Sequence, residues 1–353
     1  MISLALTEDQ RLAQNAVAQF AAAEARPAAR SAEEAAAFPD SLLASAWRLG
    51  LIQAIAGGDK PDQPTVVNAL ALEELAYGDA ALAVALAAPL GFVKAVSESG
   101  TAAQRSVYLP QFAGDTPRLA AIAHVDAGWF GGRPTRAHRV GARWRLDGAK
   151  ALAPLAARCE RFLVTAQTDE DVAAFVVEAD APGVEIAEAR GTLGLRALRM
   201  ADVAFHGVAV NESERLPSGV RRLVDLSRVA LSAILCGLSR AVYDYVLPYT
   251  KQRVVHGEAL ARKQAVAFKL ADMHIETQAM RWMGLRAASE LDAAPTATRL
   301  ARLAQRYAGE RGLSVADEGV QLFGGYGFVR DLPLEMWYRN ARTLSVLDGL
   351  IGV

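Results

Sequence analysis

Through the first third of the chain, apolar positions recur at helical spacing among Ala, Leu, Glu and Gln, the residue types that favour helix. Thr7 followed by Gln10 has the form of a capping box. Pro39-Asp40-Ser41 opens a run that Gly50 stops, and Leu70, Leu72, Leu75 and Ala76 mark a further helix over 64–76. Between about Leu119 and Val210 the texture changes. Short runs such as Arg161-Phe162-Leu163-Val164-Thr165, Ala174-Phe175-Val176-Val177 and Asp202-Val203-Ala204-Phe205 are punctuated by Gly, Pro and Asp, and Trp144-Arg145-Leu146-Asp147-Gly148 reads as strand into turn. This spacing predicts a small antiparallel sheet or barrel. From about Ser218 helical periodicity returns in runs of more than 20 residues, such as 262–291, broken near Val254-Val255-His256-Gly257, Ala294-Pro295 and Gly324-Gly325-Tyr326-Gly327. A four-helix bundle buries such runs. The predicted fold is therefore α+β: an N-terminal helical domain over 1–113, a central β domain over 114–212 and a C-terminal helical bundle over 213–353. That order excludes a regularly alternating βαβ sheet.

Charge narrows the function more than size does. The 353 residues carry 38 Lys and Arg against 39 Asp and Glu, a net charge of −1. Capture of a nucleic-acid backbone or an acidic membrane face is excluded as the main activity. Cys159 and Cys236 are too few for a disulfide framework and form no CxxC pair, which points to a reducing compartment. The longest apolar run, 80–93, has 14 residues, contains Pro89 and ends at Lys94, so no membrane span is expected. The N-terminus turns acidic at Glu8-Asp9 with no basic stretch before it, so no signal peptide is expected and the protein is placed in the cytoplasm. No GxxxxGK[ST] loop, strand-linked GxGxxG, HExxH pair or GxSxG elbow is present. His124, His138, His206, His256 and His274 show no paired spacing, so no metal site is expected.

The C-terminal third carries a specific likeness. Gln321-Leu322-Phe323-Gly324-Gly325-Tyr326-Gly327-Phe328, with Asp331, Pro333, Glu335 and Arg339-Asn340-Ala341-Arg342 after it, resembles the QxxGGxGF motif of the acyl-CoA dehydrogenase family. Arg253 and Gly257 resemble that family's ERxxFG turn, and Leu72-Glu73-Glu74-Leu75-Ala76 with Gly78-Asp79 resembles its LEELAxGD helix. The resemblance spans the chain and implies an FAD enzyme that oxidises an acyl-CoA thioester between its α and β carbons. In such enzymes a carboxylate takes the α-proton while the β-hydrogen leaves as hydride to the flavin. It also implies an oligomer, with itself or with a homologue, and an electron-accepting protein partner. Residue by residue, it places the base at Asp348, FAD contacts at Arg253, Gln321, Gly324 and Gly325, partly from a neighbouring subunit, and the acyl-CoA channel at Asp225 and Arg228. A guanidinium suits a diphosphate because its donors are fixed, and paired glycines let backbone N–H groups approach closely. The residues alone leave bland readings open: Asp348 before a glycine turn, Arg253 at a helix end, and Asp225 with Arg228 as a charged i,i+3 pair.

Departures from the family pattern matter. Asp348 stands where glutamate is usual, and one methylene fewer sets its carboxylate roughly 1.5 Å back, where a misplacement of about 1 Å can cost on the order of 10²-fold. Ser227 occupies the base position of another branch. Ala123-His124-Val125-Asp126-Ala127-Gly128-Trp129-Phe130 replaces a loop close to TEPxAGSD, and Asp147-Gly148-Ala149-Lys150-Ala151-Leu152-Ala153-Pro154 replaces NGxKxWIT. The losses gather at the flavin-ring end. The chain also ends five residues after Asp348, where relatives continue with a further helical stretch. Three readings follow: an active dehydrogenase using Asp348, a catalytically silent or cofactor-sharing partner subunit of a heteromer, or a non-enzymatic scaffold on the same fold.

Overall fold

The computed structural model describes residues 6–57, 64–127 and 134–348. Helix α1 (Glu8–Phe20) starts on a complete capping box: Thr7 Oγ1 accepts from Gln10 N at 3.2 Å and Gln10 Oε1 from Thr7 N at 3.0 Å. After a wide turn it continues as α2 (Arg26–Ala35), followed by α3 (Asp40–Trp47), α4 (Gln53–Ala56), α5 (Thr65–Gly78), α6 (Ala80–Ser99) and α7 (Ala102–Tyr108).

Helix α6 bears on the expectation about membrane spans. The apolar run lies inside a helix of 20 residues, which by length and hydropathy could cross a bilayer, as could one later helix of 33 residues. The apolar window of α6 is nevertheless wholly buried inside the protein, against α3, α4, α5 and the sheet. It is the core of the N-terminal segment.

Asp79, between α5 and α6, accepts from Ala81 N at 2.9 Å and caps α6. Burial pushes its carboxyl up from 3.8 to about 7; the backbone donors of Ala81 and Leu82 oppose that rise and the charge of Glu33 adds to it. The folded-state value thus lies above the unfolded one. Its contribution to stability is full below 3.8 and is lost as pH rises through about 7. Asp79→Asn keeps an acceptor and cannot ionise. Thermal melts from pH 5.5 to 8.5 are expected to show a smaller fall in Tm for the variant than for wild type; parallel curves would refute the assignment.

Seven strands follow: β1 (Ala120–Ala123), β2 (Arg136–Val140), β3 (Arg143–Ala153), β4 (Arg161–Gln167), β5 (Val172–Glu178), β6 (Val184–Ile186) and β7 (Ala201–Asn211). They form one sheet in the order β1-β4-β2-β3-β7-β6, with β5 on β4. Pairing is antiparallel, β4 with β5 included, except that β4 runs parallel to β1 (Ala120↔Arg161 to Ala123↔Val164) and meets β2 in parallel at Arg136↔Gln167. The sheet is thus mixed rather than purely antiparallel as predicted. The reason is connective: β2 and β3 intervene between β1 and β4, giving the long crossover that a parallel pair requires.

The remaining chain folds as α8 (Val220–Gln252), a small hairpin of β8 (Val254–Val255) and β9 (Glu258–Ala259), then α9 (Gln264–Ala293), α10 (Thr298–Phe323) and α11 (Leu334–Leu344). Helices α8, α9 and α10 pack on one another, α5 lies along α8 and α9, and the short α11 closes against α10 and α8.

Candidate active site

Two regions gather the residues that the sequence singled out. The first is a cavity of about 890 Å³ between the sheet and the segment after α11, walled in part by His124, Asp126, Thr135, Lys150, Thr165 and Asp348. Its floor is polar and tightly bonded. Lys150, 2% exposed on β3, donates from Nζ to Asp126 Oδ1 at 2.7 Å and to the His124 carbonyl at 3.0 Å. Burial lowers the ammonium pKa and the Asp126 carboxylate opposes that fall. His124 Nδ1 lies 2.9 Å from Thr165 Oγ1 on β4. Burial, helped by the Lys150 and Arg228 charges and opposed by Asp348 and Asp126, lowers its imidazole to about 4, so it is neutral at pH 7.

Asp348 meets Arg228 across the cavity mouth. Arg228, on α8, donates from Nε to Oδ1 at 3.0 Å and from an NH₂ nitrogen to Oδ2 at 2.9 Å, a fork-on-fork pair. Beneath it Asp225 is fully buried, with Oδ1 3.8 Å from Arg228. Asp225 Oδ2 accepts from Ala297 N at 3.2 Å and Thr298 Oγ1 at 2.8 Å. It therefore fixes the start of α10, and it lies in the wall of neither this cavity nor the second. Ser227 is buried beside it on α8.

The second region is a cavity of about 520 Å³ at the joined ends of α8 and α10, and it contains Arg253, Gln321, Gly324 and Gly325 together. Stacking of Tyr249 on Phe323, with ring centroids 3.8 Å apart, holds the two helix ends side by side. Gly324 ends α10 with φ +57°, a left-handed conformation that favours glycine. A Cβ on Gly325 would meet nothing within 4 Å, and Gly325 has no positive φ, so neither packing nor backbone demands glycine there. Arg253 and Gln321 are exposed. The donor set, an accessible guanidinium, an amide and an uncrowded glycine turn, fits the diphosphate of a dinucleotide. At the sheet, Thr135 lines the first cavity, and its Oγ1 is buried without a hydrogen-bond partner.

The sequence reading passed over His124, Lys150 and Thr165 as site residues. One signal was available: counting by twos along β3 from the buried Trp144 and Leu146 brings Lys150 onto the inward face, where a charge needs a partner. Gly128, Trp129, Phe130 and Gly349 lie outside the described residues. Among the described residues no group of three His, Cys, Asp or Glu is placed to hold a metal ion.

Comparison with known proteins agrees along the whole chain. Family models described as the N-terminal, middle and C-terminal domains of acyl-CoA dehydrogenase match residues 7–115, 131–208 and 220–353. The chain is 28% identical to the caffeyl-CoA reductase-Etf complex subunit CarC of Acetobacterium woodii, over 90% of this chain and 88% of that one. It is 26% identical to an acyl-CoA dehydrogenase of Bacillus subtilis, over 98% and 95%. Among solved structures, butyryl-CoA dehydrogenase from Megasphaera elsdenii superposes with a TM-score of 0.89 at 25% identity, covering 98% and 95%. An FAD complex of PigA superposes equally well, at 0.89 and 20% identity over 98% and 95%, a likeness of fold. With its three segments matched in order, and a fold of helical ends around a central sheet to go with them, this chain belongs to the acyl-CoA dehydrogenase family.

Proposed function

We propose that the protein is an FAD-dependent dehydrogenase of acyl-CoA thioesters, with Asp348 as the base and Arg253, Gln321, Gly324 and Gly325 holding the cofactor's diphosphate and adenosine. The observation that carries this reading is the gathering of those four residues, from helix ends about 70 residues apart in sequence, around one open cavity. Bound FAD supplies the hydride acceptor. Asp348 would take the α-proton from the mouth of the first cavity, and Arg228 holds its carboxylate in place until substrate enters. Neutral His124 adds no charge to the cavity, and the Lys150–Asp126 pair fixes the loop after β1 against β3.

The two cavities share no lining residue. A second copy that laid its Arg253 edge over the first cavity would join them. Phe268, Ile275 and Trp282, seven residues apart on α9 and 61, 61 and 42% exposed, form an apolar stripe suited to such a contact. We take the assembly to be a homo-oligomer that passes its electrons to an acceptor protein. The free, buried cysteines Cys159 and Cys236 accord with the cytoplasm.

The visible spectrum of the purified protein tests the reading directly. Bound flavin that bleaches on anaerobic addition of acyl-CoA esters is expected. A colourless protein that takes up no added FAD would instead fit the cofactor-sharing subunit. Gly325→Ala is a sharper probe, because the added methyl has open space in this chain. It is expected to leave Tm unchanged and to weaken FAD binding roughly tenfold or more by fluorescence titration. Unaltered FAD affinity would remove the glycine turn from the cofactor site.

A further inference from the structure

The cavity over the sheet holds a hydrogen-bond donor that the reaction as drawn leaves unused. His124 follows the last residue of β1, and because Ala123 pairs with Val164 the register sets it beside Thr165 on β4. Its Nδ1 lies 2.9 Å from Thr165 Oγ1, and Lys150 sets the direction of that bond. The ammonium can only donate, and beyond its shorter bonds to Asp126 and the His124 carbonyl it lies 3.5 Å from Thr165 Oγ1. With Nζ on its lone-pair side, the hydroxyl turns its hydrogen toward Nδ1. A neutral imidazole that accepts at Nδ1 carries its proton on Nε2. Among the described residues that Nε2–H has no hydrogen-bond partner, and the half-buried ring is part of the cavity wall. Other donors of the wall are committed or peripheral: Gln167 Nε2 donates to the Thr168 carbonyl at 2.9 Å, and Arg136 is exposed. Asp348 stands in the same wall, near enough for its charge to act on the imidazole.

We propose that His124 is an oxyanion donor, its Nε2–H bonding the thioester carbonyl oxygen while Asp348 removes the α-proton. The proposal rests on the dehydrogenase reading for its reaction and adds a second catalytic residue to it. When the α C–H bond breaks, the proton goes to the Asp348 carboxylate. The electron pair left behind forms a double bond from the α carbon to the carbonyl carbon, and the carbonyl π pair moves onto oxygen. Negative charge therefore grows on that oxygen, and a donor already held in place gains more from it than from the ground-state carbonyl. Thr165 holds His124 in this way, through the nitrogen on the far side of the ring. The ring's charge state suits the task as well. With its value lowered to about 4, chiefly by burial, the imidazole donates at pH 7 as a neutral group, whereas a cation would pair with Asp348 and oppose its taking a proton.

Deuterium exchange at the α carbon isolates this step. The FAD-loaded protein is kept reduced with dithionite in D₂O, so that no hydride can be transferred, and saturated acyl-CoA esters of short and long chain are followed by mass spectrometry. Wild type is expected to exchange the α-hydrogens. His124→Leu is expected to exchange them slower by on the order of 10²–10³-fold, the usual loss for one oxyanion donor, with acyl-CoA affinity changed less than about tenfold. His124→Gln, whose amide N–H can stand where Nε2–H stood, is expected to exchange at least about tenfold faster than His124→Leu. Melting curves establish that both variants fold. Exchange at the wild-type rate in folded His124→Leu, or an equal loss in the Gln and Leu variants, overturns the donor role and leaves the dehydrogenase reading standing. A wild type that exchanges no α-hydrogen in any ester overturns that reading, and the oxyanion donor with it.

Discussion

Asp348→Asn is expected to slow the bleaching of bound flavin by acyl-CoA by on the order of 10²–10⁴-fold, the usual contribution of a positioned general base. The amide keeps the size of the side chain and loses its power to accept the α-proton. It also breaks the fork with Arg228, since one of the two guanidinium donors, now at 3.0 and 2.9 Å from carboxylate oxygens, would face an N–H. Asp348→Glu is expected to retain activity, because the extra methylene restores the reach of the residue that family members carry there. Stopped-flow absorbance under anaerobic conditions measures both. Bleaching undiminished in the Asn variant would show that the base lies elsewhere, and loss in the Glu variant as deep as in the Asn variant would show that the carboxylate position is set by Arg228 rather than by side-chain length.

What could be read from the chain divides along a physical line. Helix ends are local: Thr7 with Gln10, or Gly324 after Phe323, sit within a few residues of the groups they satisfy, so their types announce them. The cavity that holds Arg253, Gln321, Gly324 and Gly325 lies at two such ends, which is why the sequence could name the four together. The sheet cavity is not local. Lys150 finds Asp126 across 24 residues and Arg228 finds Asp348 across 120, and no periodicity encodes either meeting. Asp225, which the resemblance places at the acyl-CoA channel, has a carboxylate that accepts from Ala297 and Thr298, a meeting across more than 70 residues that no local pattern announces. The parallel β1–β4 pair likewise follows from how β2 and β3 fill the sheet, which is a property of the whole segment.

The largest effect on stability is expected at Arg240. From α8 it donates to Glu73 Oε1 at 2.5 Å and to Glu74 Oε1 at 2.9 Å, both on α5, whose side chains are 3% and 6% exposed. Gln14 adds a bond to Glu74 at 2.6 Å, and Arg281 lies 3.5 Å from Glu73. Helices α5 and α8 meet closely here, since a Cβ on Gly237 would stand 2.0 Å from the Glu73 carbonyl oxygen, so water has no room to replace a lost partner. Arg240→Met keeps most of the aliphatic stem and removes the cation that two buried carboxylates share. Breaking such a pair costs about 3–5 kcal/mol. The pH dependence identifies the cause. Burial already holds the Glu73 carboxyl above its ordinary 4.5, against the pull of Arg281 and Arg240. Without Arg240 it rises further, so protonation of the folded state relieves the defect at low pH, and the defect deepens as pH climbs through the raised value. Urea unfolding of the variant at pH 5 and pH 8 should show the larger loss at pH 8, and adding Glu73→Gln should recover part of it. A variant as stable as wild type at pH 8 would mean that the Glu73-Glu74 pair, among the clearest marks of the family in this chain, does not fasten α5 to α8.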